Sequence, residues 1–421
     1  MRRGRVYVWM PDPDRPLGGH IGASVVPLPR LETTGEGSGR LQGEYVVVRN
    51  GGAVYEPDPM SSGARAVPLG DARPDPEGDF LFEPGRGGGR MDKVGLSEPE
   101  FRWRYVQASH FGEVNTYFHL DRMAAYMHDL LAELDAPALP RVNAVVNAHH
   151  AATERGRIRD GLRRGDRWLP FQGGHYRLPS RRYNIPEYEP ISPDGEIHLG
   201  PGWRLTVYGA LPEVAGGPYR ANASHNAGIL YHEYGHHVNR HTADSRANAL
   251  RRPDRQDNRK TPLEEGTCDY WGATMLGTPH IWAWHHRHDD QVVHPRSLVS
   301  AKTIADYDAG TGADPHANGT IWAAALWDLR ARLAAAGPDG VRRADRLVLK
   351  SLLLLGRLAD HPLRPSRKNT RRLRSDYGMG LAALLHADEL LHAGQHRKTI
   401  LTVFAARGIQ PARGYGTRVG H

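Results

Sequence analysis

From Ser109 to Leu134 apolar residues return near helical spacing, at Val114, Tyr117, Phe118, Ala124, Met127, Leu130 and Leu131. This stripe predicts one long amphipathic helix beginning near residue 107. Ahead of it the pattern is different. Short runs of β-type residues, RVYVW (5 to 9), EYVVV (44 to 48) and DFLFE (79 to 83), stand between Gly- and Pro-rich turns, which predicts a small all-β region. The stretch EPGRGGGRMD (83 to 92) is flexible by composition and reads as a joint. Beyond the helix, RVNAVVNAH (141 to 149), GEIHLG (195 to 200) and WRLTVYG (203 to 209) read as strands. After residue 224 the chain reads as mainly helical, with polar connections at 240 to 261 and 361 to 375. The fold class expected is α+β: a small β-rich region over 1–95, an α/β lobe over 96–240 and a mainly helical lobe over 241–421.

Composition narrows the chemistry. The chain has 421 residues and one cysteine, Cys268, which excludes an internal disulfide and any cysteine-rich zinc module. A bound metal would therefore rest on histidine and carboxylate. No apolar run is long enough for a membrane span. The start, MRRGRVYVWMPDPD, lacks the apolar core of a signal peptide, so a cytoplasmic protein is expected if Met1 is the natural start. The net charge of +8 is carried mostly by arginine. Its densest runs, RRPDRQDNRK (251 to 260) and RPSRKNTRRLR (364 to 374), have no interleaved aromatics and no nucleic-acid-binding signature beside them. They read as solvated loop surface, and nucleic acid is not an expected partner.

The segment Tyr231 to His237, YHEYGHH, concentrates the chemistry. Side chains four apart on a helix rise from nearly the same face, so His232 and His236 can converge on one ion. Glu233, beside the first, can reach a water on that ion without being a ligand, which is the mechanical content of the H-E-x-x-H pattern. A third ligand is offered by PLEEGTCDYWGA (262 to 273). Glu265 and Asp269 are four apart on a predicted helix, so Glu265 can face the metal while Asp269 reaches the outer nitrogen of a ligand histidine. Glu264 is the competing ligand and has no carboxylate four residues on. A further segment, DPHANGTIWAAALWDLR (314 to 330), sets His316 just before an apolar-striped helix. A histidine there can donate to the oxyanion that forms when water attacks a carbonyl. The clusters WAWHHRHDD (282 to 290) and NAHH (147 to 150) read as solvated polar segments.

With these motifs in place, the chain resembles a zinc metallopeptidase of the gluzincin group, closest to the fungalysin-like and thermolysin-like enzymes. HEYGHHVNR is similar to the fungalysin zinc helix, EEGTCDY to that family's E-G-W-S-D-F, and HANGTIWAAALWDL to the histidine segment of both families. GMGLAALLHADELLHAGQHRKTILTVFAARGI (378 to 409) resembles their closing helices. GEIHLG stands in the place of the edge strand along which such enzymes lay their substrate. The resemblance covers roughly residues 105 to 410. It implies a thermolysin-like fold with a mixed-sheet N-lobe and a helical C-lobe, and one zinc ion per chain on His232, His236 and Glu265. It also implies Asp269 behind the ligands, Glu233 as general base, His316 at the oxyanion and a polypeptide substrate. It implies secretion as well, at odds with the absent signal peptide. Calcium ligands, the substrate-binding residues and the oligomeric state are not readable from the chain.

Two positions depart from the family pattern: His237 replaces the usual glycine, and Thr320 stands where fungalysins carry glutamate. No fungalysin-type propeptide is recognisable. These departures keep open a second expectation, a catalytically inactive peptidase-like protein that retains zinc for binding or scaffolding.

Overall fold

The computed structural model describes residues 1–12, 15–35, 37–57, 64–84, 98–152, 158–160, 167–170, 173–179, 191–200, 204–206, 209–211, 222–244, 252, 260–281, 296–310, 312–359 and 377–412. The flexible joint (apart from its first two residues), most of the basic run at 251 to 260, the histidine cluster at 282 to 290 and the basic run at 364 to 374 lie outside the described residues. The described chain is mixed α and β, with seven α-helices. It divides into two compact units. One has its described residues in Met1–Ala124 and Arg141–Glu233; the other comprises Ala125–Pro140, Tyr234–Ile281 and Arg296–His421.

In the first unit, β1 (Arg3–Asp12) and β2 (Arg15–Pro27) form a long antiparallel hairpin, and β3 is Val46–Asn50. A second hairpin joins β4 (Ala53–Pro57) to β5 (Ala64–Pro68). The central sheet adds β6 (Val142–Val146). A small antiparallel sheet of β7 (His149–Ala152), β8 (Ile158–Asp160) and β9 (Arg167–Pro170) follows, with β7 in the middle. Next come β10 (Gly174–Arg177) and β11 (Glu196–Leu199) of the central sheet, then a short pair, β12 (Arg204–Thr206) and β13 (Gly209–Leu211).

The central sheet is mixed, in the order β10-β11-β6-β3: β11 runs parallel to β6 and β6 to β3, while β10 is antiparallel to β11. Alternation in β6 buries Val142, Ala144 and Val146, the inward set of a period-two strand. GEIHLG, expected as the edge strand, is β11 and is paired on both sides; β10 is the outer strand. The weaker pattern of GHYR concealed it. DFLFE makes only a single bridge, Gly4 to Phe80. Its Asp79 is committed to side-chain bonds with the Arg3 backbone N–H and guanidinium, at 2.8 Å each from Nα and Nε, in place of a ladder.

The long helix α1 (Glu98–Glu133) starts earlier than the apolar stripe indicated. Its buried faces carry polar residues as well as Phe111, Val114, Tyr117 and Leu120. Three of the polar ones tie the helix to neighbouring segments. Glu113 accepts from the Ala72 N–H and from Asn50 Nδ2. Asn115 accepts from the Tyr7 N–H and donates to the Ser224 carbonyl. His119 lies between the Tyr7 carbonyl at 2.9 Å and the Tyr231 hydroxyl at 2.7 Å.

Helix α2 (Ala227–Thr242) begins in the first unit and continues in the second. The second unit adds α3 (Pro262–Leu276), α4 (Pro315–Ala335), α5 (Gly340–Ala359), α6 (Tyr377–His392) and α7 (Arg397–Ala405). Helix α4 packs on α3, α5 and α7, and α5 packs on α6. At their core Asp345 accepts from the Tyr126 and Tyr270 hydroxyls at 2.5 Å each. No described helix is long and apolar enough to cross a membrane.

Candidate metal centre

Three glycines let the motif segments approach. A Cβ on Gly235 of α2 would stand 2.9 Å from the Cα of Cys268 on α3, and one on Gly266 of α3 would stand 2.3 Å from the Gly319 carbonyl oxygen on α4. Real Cβ atoms do not come so close to backbone, so only glycine permits these helices to touch there. Capping sets where each motif begins. Thr261 caps α3 and accepts from the Glu264 N–H, with Pro262 behind it. Asp314 caps α4 and accepts from the His316 N–H, with Pro315 in the first turn. These are the signals of helix starts.

Around Glu265 the donors converge. Its Oε2 lies 3.5 Å from His236 Nε2 and 3.2 Å from His316 Nε2. The outer nitrogens of both rings are held by other carboxylates: His236 Nδ1 lies 3.0 Å from Glu264 Oε1, and His316 Nδ1 lies 2.8 Å from Asp314 Oδ1. Cys268 Sγ is 3.3 Å from the same His236 Nδ1. The His316 ring hydrogen bond holds the Asp314 carboxyl down at about 2. Continuous with His236 along α2, His232 joins the group: ligand atoms of His232, Glu265 and His316 all lie within 4.8 Å of one another. His232, His236 and Glu265 are buried, whereas the His316 side chain is 43% exposed and is the solvent-facing member.

This donor set fits a divalent cation. A carboxylate only accepts, so Nδ1 of His236 and of His316 must each donate to its partner. In the neutral ring that leaves a lone pair on Nε2, and both lone pairs face the same carboxylate oxygen. Positive charge among these atoms, from protons on the rings or from a bound cation, relieves the arrangement. A metal of the kind that takes nitrogen and oxygen supplies it, and carboxylates on the outer ring nitrogens are the usual supports of such ligands.

Glu233 stands apart from the ligands. It is buried, its Oε2 has no hydrogen-bond partner among the described residues, and its stem lies against β10. A Cβ on Gly174 would stand 2.6 Å from Glu233 Cγ, so glycine is what lets the outer strand pass.

The expected residues are therefore placed as follows. His232, Glu265 and His316 come together, and His236 reaches Glu265. The carboxylate on the His236 outer nitrogen is Glu264, the residue weighed as competing ligand. Asp269, expected behind a ligand histidine, is gripped by Arg296, at 2.9 Å from both Nε and Nη2, and Arg296 Nη2 stands 4.0 Å from Glu265. The spacing did not reveal Glu264 in that supporting place, nor Arg296, which follows Asp269 by 27 residues without a local motif. Asp314, read only as the opening of the DPH segment, likewise had no expected role. Of the two departures, His237 donates from Nε2 to the Pro140 carbonyl at 2.9 Å, and burial drives its pKa well below the ordinary histidine value. Thr320 bonds back to the His316 carbonyl at 3.2 Å.

No protein-family model matches the chain, and none of the curated proteins gives a significant match to its sequence.

Proposed function

We propose that the protein is a zinc-dependent metallopeptidase of the gluzincin type, with a thermolysin-like fold, and that it hydrolyses peptide bonds. One observation carries this reading: His232, Glu265 and His316 gather their ligand atoms within 4.8 Å, and the helix that supplies His232 also holds His236 and Glu233. His232, His236 and Glu265 would hold the ion, with Glu264 and Asp314 fixing the rings of His236 and His316. Bound there, zinc supplies Lewis acidity toward a carbonyl and lowers the pKa of water at its open position.

The chain's own residues do the rest. Glu233 follows His232 on α2 and keeps a buried carboxylate oxygen without a hydrogen-bond partner among the described residues, so it would take a proton from the attacking water and return it to the departing amine. His316, the solvent-facing member, would donate to the oxyanion from Nε2 when its ring carries a proton on both nitrogens. Strand β10, outermost in its sheet and pressed against Glu233 at Gly174, offers its edge to an extended peptide.

The test is casein cleavage by the zinc-loaded protein beside Glu233→Gln. Cleavage by the wild type and its loss in a Glu233→Gln protein that keeps its zinc are the expected results. Zinc retained with no cleavage by either protein would instead indicate a binding or scaffolding role.

A further inference from the structure

A second group of metal-ligating side chains lies in the helical unit, away from the motifs above. Helix α6 ends at His392, and two successive left-handed residues, Ala393 at φ 48° and Gly394 at φ 73°, turn the chain back so that His396 opens α7. The turn is tied at several points. Ala393 N–H donates to the Glu389 carbonyl and Gly394 N–H to the Asp388 carbonyl. His396 N–H donates to Asp388 Oδ2 at 3.0 Å. The two imidazoles thereby meet edge to face, ring centroids 5.1 Å apart at 71°.

Helix capping does not explain this choice of residue. His396 sits at the N-cap without a side-chain capping bond, a place that favours Ser, Thr, Asp or Asn. A left-handed alanine is also strained, by about 1 to 2 kcal/mol. Three atoms at the turn are buried without a hydrogen-bond partner among the described residues: His392 Nε2, His396 Nε2 and Asp388 Oδ1. Asp388 is fully buried and His396 is 7% exposed. Buried polar atoms left unpaired in this way call for a water or an ion. Two imidazoles with a buried carboxylate nearby suit zinc, nickel or copper rather than calcium or magnesium.

We propose that His392 and His396, backed by Asp388, bind a divalent transition-metal ion and clamp the turn between α6 and α7. The ligands are two imidazole nitrogens from opposite sides of a four-residue reversal, and water completes the coordination.

The experiment uses the full chain, stripped with a chelator and titrated with zinc ions alone, with bound equivalents counted by calorimetry. The wild type should bind one equivalent more than His392→Gln/His396→Gln. Asp388→Asn should keep that equivalent at an affinity lower by about 10- to 100-fold. Glu265→Ala, which disables the other centre, should still show the equivalent that the double variant lacks, so the two sites fail separately. Should the double variant not fold, His392→Gln alone, at a half-exposed helix end, carries the test through loss of the same equivalent. Equal zinc stoichiometry and affinity in wild type and variant would overturn the proposal.

Discussion

Gly266 and Gly319 face each other so closely that a Cβ on the first would stand 2.3 Å from the carbonyl oxygen of the second. This contact holds α3, with Glu265, against α4, with His316. Either glycine changed to alanine should force the helices apart and cost about 1 to 3 kcal/mol of stability. Thermal unfolding of the metal-free chain reads that loss. A melting temperature equal to the wild type's would show that the close approach is not required.

Glu264 tests the support of the His236 ring. Glu264→Gln keeps the shape but removes the charge that accepts from Nδ1, and should weaken zinc binding by about 10- to 100-fold. Competition with a chromophoric chelator measures it. An unchanged affinity would mean that Glu264 does not orient the ring.

His237→Ala separates structure from chemistry. It strips the Pro140 carbonyl of its donor, which costs about 1 to 3 kcal/mol when a buried group is left unpaired. Denaturant unfolding should show that loss, while zinc stoichiometry stays unchanged. Loss of zinc from a folded His237→Ala protein would place this residue in the metal site after all.

His119 makes the first unit sensitive to acid. Burial lowers its pKa from 6.5 to about 3, and its ring is already committed to the Tyr7 carbonyl and the Tyr231 hydroxyl. Between those two pH values the unfolded chain binds a proton that the folded chain refuses. Stability is therefore undiminished by this group above pH 6.5 and falls by about 1.4 kcal/mol per unit as pH drops toward 3. Urea unfolding at several pH values should give a shallower acid loss for His119→Gln than for the wild type. Identical slopes would show that another group governs the acid limb.

Much of this was legible in the chain because local rules sufficed. The i, i+4 spacing put His232 and His236 on one helix, and the apolar stripe after His316 announced α4. What was not legible depends on how remote segments meet. Glu264 and Glu265 are neighbours, and which faces His236 Nδ1 depends on the rotation of α3 against α2, set by the Gly235 and Cys268 contact. GEIHLG was readable as a strand, but its place inside the sheet is fixed by GHYR, four residues with little β signature of their own. Arg296 reaches Asp269 from a segment that announces nothing. The reversal at Ala393 and Gly394, which brings two histidine rings together edge to face, has no hydrophobic period to betray it.

The most direct measurement is anomalous diffraction at the zinc edge from crystals of the zinc-loaded protein. The account predicts a peak at bonding distance, about 2.0 to 2.2 Å, from His232, His236 and Glu265. Zinc-saturated crystals with no anomalous density at Glu265 would contradict it.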